Sequence, residues 1–153
     1  MKTTAAYHLL NEALRYLLIF LFVYTGVSKL LDHASFETAL LLSPLLRPHA
    51  AFLVIAVPVV ELVVAAMLLT VTYRRAGFVS SLLLMASFTG YIAYMIVFIP
   101  HLPCSCGGIL QQLSWRNHLL FNAVLTIWIA LALYAQTTHQ LFIAINRTNR
   151  KPV

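Results

Sequence analysis

The sequence predicts an all-α protein, a transmembrane four-helix bundle that forms one integral membrane domain over residues 1–153. Of its 153 residues, 61% are hydrophobic and only 9% are charged, whereas about a quarter of the residues of a soluble domain carry charge. The apolar residues fall into four long runs, and about 20 residues suffice for one helical crossing of a bilayer core. No separate soluble domain fits into the remainder.

The first membrane helix is expected over residues 14–31. Asn11 and Glu12 precede the apolar run and are typical of residues near a helix start. We expect the segment to be retained and not cleaved as a signal peptide, because no small-x-small cleavage site follows Tyr24.

A connection of residues 32–49 follows, and the second membrane helix is expected over 50–71. In the connection, apolar residues recur at helical spacing before Pro44 and Pro48, which break helices, so a short interfacial helix is expected there. Pro58 interrupts the second run.

The third membrane helix is expected over 76–99 and stops at Pro100. An irregular loop of roughly fifteen residues then carries Cys104 and Cys106, and proline and glycine residues flank this pair. The fourth membrane helix is expected over 117–135, and a polar basic tail ends the chain.

The basic residues predict how the chain is oriented in the membrane. Three of them lie on the side of the cysteine loop, namely Lys29, Arg47 and Arg116. Seven lie on the side of the two termini, namely Lys2, Arg15, Arg74, Arg75, Arg147, Arg150 and Lys151. Since cytoplasmic loops are enriched in Lys and Arg, both termini are expected in the cytoplasm of a bacterium and the cysteine loop in its periplasm. The chain is thus expected in the lipid bilayer of the inner membrane.

The net charge of +6 does not indicate a nucleic-acid partner. The cations flank apolar runs and do not form a basic face with interleaved aromatic residues.

The sequence Cys104-Ser105-Cys106 is the strongest indication of chemistry. A disulfide between these residues would close a very small ring, whereas a structural disulfide stabilises most when it closes a long loop. A strained bond is readily exchanged, and the periplasm permits disulfides. The pattern therefore favours redox exchange over a passive bridge. Metal binding with His101 and His118 as further ligands is the alternative, but the spacing matches structural zinc sites poorly, so no metal is predicted.

Trp115, His118 and Asn122 share one face at the outer end of the fourth helix, because they stand at i, i+3 and i+7. His118 is a candidate proton acceptor for a cysteine thiol. Asn122 is a candidate hydrogen-bond partner of a ligand head group or of a neighbouring helix. Trp115 taken alone is typical of an interfacial aromatic residue.

Glu61 lies about 16 Å into the second helix, near the bilayer centre, and must face the bundle interior. Tyr24, His118 and Asn122 are its candidate partners. Two roles are equally open for Glu61. It functions in proton relay or quinone contact, or it forms a purely structural hydrogen bond. Lys29 lies nearer the outer edge, where its side chain either stabilises a thiolate or extends to the membrane interface. When Lys29 is considered by itself, extension to the interface is the expectation. Its side chain reaches Glu61 only if the helices tilt.

These residues resemble the MauE branch of the DoxX-like membrane proteins over nearly the whole chain. The resemblance is strongest in the Cys-x-Cys-Gly-Gly loop with Trp115, His118 and Asn122 downstream. It extends to the segment from Gly26 through Ser28, Lys29 and Asp32, then to Phe36, Ala39 and Leu40, and to Pro58 and Glu61.

The resemblance implies a four-helix bundle related in arrangement to vitamin K epoxide reductase and DsbB-type quinone-linked thiol oxidases. It also implies a redox function with a thioredoxin-like partner. We therefore expect disulfide exchange with a periplasmic thioredoxin-like protein through Cys104 and Cys106, assisted by His118 or Lys29. A quinone would lie near Lys29, Glu61, Trp115 and Asn122. Quinone-linked oxidases usually have two cysteine pairs, and this chain has one, so a complete internal relay is impossible. Either the partner's thiols attack Cys104 or Cys106 directly, or this chain is half of a relay whose other pair lies on a separate thioredoxin-fold protein.

Two other functions remain open from the sequence. One is a metal-binding or assembly subunit of a membrane complex, and the other is a subunit of a proton-coupled small-molecule transporter that uses Glu61. Four spans leave little room for alternating access without oligomerisation. The direction of electron flow and the formation of a homo-oligomer are open as well.

Overall fold

The computed structural model describes the backbone of residues 2–98 and 114–148 and the side chains of residues 9–98 and 114–138. Within these ranges the chain is helical and contains no strand. Five α-helices and one 3₁₀ turn follow in the order α1 (Lys2–Leu31), α2 (His33–Leu42), the turn (Arg47–His49), α3 (Ala50–Leu69), α4 (Arg74–Phe98) and α5 (Trp115–Thr148).

In the part of the chain that the structure describes, four segments are long and apolar enough to cross a membrane, and they confirm the predicted fold class. They are Leu9–Leu31, Arg47–Leu69, Arg74–Phe98 and Trp115–Thr138. Helices α1 and α5 extend well beyond the apolar runs read from the sequence. Polar residues end an apolar run, but most of them are compatible with helical backbone, so hydropathy underestimates the length of a helix that leaves the membrane.

The core lies between α1, α3, α4 and α5. Helix α1 packs mainly on α3, α4 packs mainly on α5, and the contact of α3 with α4 joins the two pairs. Leu18 and Phe22 of α1, Leu68 of α3 and Ile129 of α5 are among the fully buried side chains of this core.

Large apolar side chains also cover the outside of the bundle. Phe20, Phe52 and Leu131 are each more than 60% exposed. Soluble monomers rarely expose apolar surface on this scale. Such an apolar surface is stable in contact with lipid chains, so the protein is a multi-pass membrane protein that contacts the bilayer.

Helices α1 and α3 lie close together at Gly26. A Cβ atom placed on this residue would lie 3.2 Å from the side chain of Leu62 and 3.3 Å from the carbonyl oxygen of Pro58. Small residues allow such contacts between membrane helices. The absence of a side chain at Gly26 therefore sets the distance between the two helices that carry Lys29 and Glu61.

Helix α2 packs against α3 and covers one end of the bundle. Leu40 of α2 is buried with Ala50 and Val54 of α3. The helix ends at Leu42, two residues before Pro44, as the sequence pattern predicted for this break.

Helices α1 and α4 are joined by charged side chains at the end of the bundle where α4 begins. The Glu12 carboxylate accepts from Arg74 at 3.0 Å and also pairs with Arg15 on its own helix. Deeper in the bundle, the hydroxyl groups of Thr89 and Thr126 lie 3.1 Å apart and join α4 to α5.

Candidate functional site

A cavity of about 540 Å³ lies in the half of the bundle where α1 ends and α5 begins, and the five helices of the described residues all contribute to its walls. Its volume is in the range of small-molecule sites. Most of the wall is apolar. Four polar residues predicted from the sequence border it together, namely Lys29, Glu61, His118 and Asn122. We call this cavity the central cavity and these four residues its polar end.

Lys29 and Glu61 form an ion pair inside the bundle. The Lys29 Nζ atom lies 2.8 Å from Oε1 and 3.0 Å from Oε2 of Glu61. The Glu61 side chain is 1% exposed and that of Lys29 is 16% exposed. A charge buried to this degree requires a partner, and each residue supplies that partner to the other.

The expectation that Lys29 extends outward to the interface is wrong. Its side chain runs back along α1, and Nζ also lies 3.4 Å from the carbonyl oxygen of Thr25, one turn deeper. Helical side chains tilt toward the helix N-terminus, which for this outward-running helix is toward the membrane centre. The long stem thus closes the difference in depth between Lys29 and Glu61.

Two aromatic rings flank the Lys29 ammonium group. Nζ lies 5.8 Å from the ring centroid of Phe36 on α2 and 5.8 Å from that of Phe88 on α4. Cations are attracted to ring faces at this range. Sequence reasoning missed Phe88, because one phenylalanine in a long apolar run gives no signal of its own.

His118 and Asn122 reach the central cavity from α5, one helical turn apart. Asn122 is 5% exposed, and His118 is half-buried. Among the residues that the structure describes, neither side chain takes part in a hydrogen bond; the carbonyl of Asn122 accepts one from Thr126. The two side chains therefore offer the cavity polar groups that the described part of the protein leaves unpaired.

Trp115 lies at the start of α5 and is partly buried, but it does not border the central cavity. The predicted stripe thus divides, with His118 and Asn122 at the cavity and Trp115 outside it. Contact of Trp115 with a ligand stays a prediction.

Cys104, Cys106 and His101 lie outside the described residues. The helix turns on either side of this segment are described, and both border the central cavity: Tyr94 lies in the last turns of α4, and His118 lies in the first turn of α5. The described helix turns that precede and follow the cysteine segment thus both border the cavity. Within the described ranges, no group of three or more His, Cys, Asp or Glu residues is arranged to hold a metal ion.

Comparison with known sequences gives one family. The sequence profile of the family described as methylamine utilisation protein MauE matches residues 7–135, a range that runs from α1 into α5 and includes the cysteine segment. No curated protein and no solved structure shows a significant match to the chain.

Proposed function

The chain belongs to the MauE family, and on that premise we propose that it is a thiol-disulfide exchange protein of the bacterial inner membrane. Cys104 and Cys106 form its reactive pair and exchange with a thioredoxin-like protein of the periplasm. The family is described as methylamine utilisation protein MauE. Exchange at the two cysteines is our assignment, based on their spacing and on the site beside them.

The observation that carries the proposal is a cavity at the helix ends between which the cysteine segment is joined. Tyr94 near the end of α4 and His118 at the start of α5 border this cavity, which has polar groups at one end. A thiol pair joined to these helix ends can react with a protein partner from the aqueous phase and with a molecule bound in the membrane-embedded cavity. This is the arrangement that transfer of electrons between a soluble and a lipid-dissolved carrier requires.

The exchange with the partner starts from the oxidised state, in which Cys104 and Cys106 are joined by a disulfide. A partner thiolate attacks one sulfur of the Cys104–Cys106 disulfide, forms a mixed disulfide and releases the other sulfur as a thiolate. The second partner thiol then attacks the mixed disulfide. The products are a partner disulfide and two thiols on this chain, so two electrons and two protons have moved. The reverse sequence oxidises this chain, and the potential of the partner sets the direction.

His118 is the side chain at the polar end that accepts or returns the thiol proton. Lys29 was the other candidate for this assistance, but its ammonium group is held by Glu61 and flanked by Phe36 and Phe88. His118 has no hydrogen-bonding partner for its ring among the described side chains, and imidazole exchanges protons near neutral pH.

A membrane quinone is the proposed carrier on the other side. The two thiols give two electrons and two protons to the quinone, which becomes a hydroquinone while the disulfide forms again. Lys29, Glu61 and Asn122 lie at the polar end of the central cavity, where the quinone ring would be held. The apolar wall suits the isoprenoid tail.

The proposed orientation places both termini in the cytoplasm and the cysteine segment in the periplasm. It rests on the seven basic residues of one side against three of the other. Arg15 and Arg74, which pair with Glu12, lie at the end of the bundle that this orientation assigns to the cytoplasm.

The redox state of the two cysteines in native membranes tests the proposal. Acid quenching followed by maleimide gel shift is applied to the parent protein after oxidant and after reductant, and to the Cys104→Ser and Cys106→Ser variants. We expect the parent thiols to cycle between two states and one variant to accumulate a mixed disulfide with a thioredoxin-like protein. Thiols that remain in one state, with no adduct in either variant, would contradict it.

A further inference from the structure

The central cavity reaches the outer surface of the bundle on α4. Ser87 and Gly90 border the cavity and are nevertheless exposed. A Cβ atom placed on Gly90 would meet no other atom within 4 Å. The space beside Gly90 is therefore open, and it connects the cavity with the surroundings of the helix.

This opening lies at the depth of the hydrocarbon core. Helix α4 spans Arg74–Phe98, and at 1.5 Å per residue Gly90 is about 24 Å from the first of these residues and about 12 Å from the second. Ser87 is nearer still to the middle of the helix. A molecule that passes this opening comes from the lipid chains and not from water.

Gly90 differs from the two glycines that serve helix packing. A Cβ atom at Gly26 or Gly77 would lie 3.2 Å or 3.0 Å from a neighbouring atom, so a side chain at either position would require that neighbour to shift by a few tenths of an ångström. No contact excludes one at Gly90. Glycine within a helix costs about 0.5–1 kcal/mol relative to alanine, and packing of the described neighbours gives no compensation for it here.

The charges at the polar end favour an uncharged head group. Lys29 and Glu61 satisfy each other, so their charges cancel, and an anionic head group finds no free cation among the described residues of the cavity. Asn122 and His118 supply hydrogen-bonding groups instead. Asn122 is only 5% exposed and borders the cavity, so its amide can exchange hydrogen bonds with a ligand oxygen or nitrogen there.

We infer that the central cavity takes a lipid-dissolved molecule with an uncharged, oxygen-bearing head group, which enters sideways from the hydrocarbon core past Ser87 and Gly90 and places its head group against Asn122 and His118. This inference deepens the proposed function, since a quinone is a molecule of this class. Thiol exchange at the cysteines does not depend on the route.

Binding of decylubiquinone to the full-length protein in nanodiscs tests the inference, with quenching of tryptophan fluorescence as the signal. We expect Gly90→Leu to slow association about tenfold by narrowing the opening. Ala86→Leu is the matched control, because Ala86 lies one turn earlier on α4, is exposed and does not border the cavity. This control should associate at the parent rate.

Two further measurements test the head group. Asn122→Leu should weaken binding about tenfold through the loss of one hydrogen bond. Decanoate, which has an alkyl tail and a charged head group, should bind much more weakly than decylubiquinone.

Three results would overturn the inference. If Gly90→Leu associates as fast as Ala86→Leu, the route is wrong. If decanoate binds as well as decylubiquinone, the inferred preference of the cavity for an uncharged head group is wrong. If the parent protein binds no decylubiquinone, the ligand class is wrong, and the trapping of mixed disulfides then decides separately whether the exchange function stands.

Discussion

The Lys29 ammonium group lies 2.8 Å from the Glu61 carboxylate and joins α1 to α3 inside the membrane-spanning bundle. Both residues border the central cavity, so the pair also holds one wall of the candidate site in place. A buried pair of this kind is costly to break, because the charge that remains is left without compensation.

Removal of either charge should therefore destabilise the bundle. Lys29→Met and Glu61→Leu should each lower the free energy of unfolding by about 3–5 kcal/mol. The double variant should recover much of this loss, since two apolar side chains replace the pair without a residual charge. Thermal unfolding of the purified protein in detergent measures the effect. Single and double variants of equal stability would show that the pair does not act as a unit.

The close approach of α1 and α3 at Gly26 gives a second prediction. Gly26→Leu should separate α1 from α3 and lower the free energy of unfolding by about 1–3 kcal/mol, as overpacking does elsewhere. Gly90→Leu is the matched control, because a Cβ atom there meets no atom within 4 Å, whereas one at Gly26 lies in tight contact with α3. The control should unfold at the parent temperature or above it. Equal losses in the two variants would indicate a general cost of leucine in these helices.

The pattern of the sequence was sufficient for the fold and for most of the polar end of the cavity. Hydropathy located four spans, and an ionisable residue in an apolar run identified Glu61 as a residue that must face inward. Helical spacing placed His118 and Asn122 on one face, and the structure brings both to the cavity.

The pairing of Lys29 with Glu61 could not be derived from the same pattern. Depth along a helix is counted at Cα atoms, and by that count Lys29 is too far out. The flexible stem makes up the difference by running back along α1, and its ammonium group lies beside Phe88, a neighbour that no local pattern indicates. Sequence spacing gives the position of a residue on its helix but not the path of a long side chain.

The charged cluster where α4 begins gives a third prediction. Glu12 pairs with Arg15, whose side chain is 8% exposed, and with Arg74. Glu12→Gln removes the carboxylate from a buried guanidinium group and should lower the free energy of unfolding by about 1.5–3 kcal/mol. Glu37→Gln is the control, because Glu37 and its neighbour His33 are both more than 40% exposed and lie 4.0 Å apart. This control should change stability by less than about 0.5 kcal/mol. An equally small change in Glu12→Gln would contradict the assigned role.

The proposed role of His118 gives the last prediction. His118→Asn keeps a polar side chain at the cavity but removes the group that exchanges protons near neutral pH. The rate at which a disulfide reagent reacts with the reduced cysteines at pH 7 should fall by roughly 100-fold, the lower end of what a positioned acid or base contributes. His33→Asn on α2 is the control and should react at the parent rate, because its side chain is 46% exposed and does not border the cavity. At a pH where the thiols ionise without assistance, the rates of the parent and of His118→Asn should converge. A rate difference that persists there would show that His118 acts on the shape of the site and not on the thiol proton.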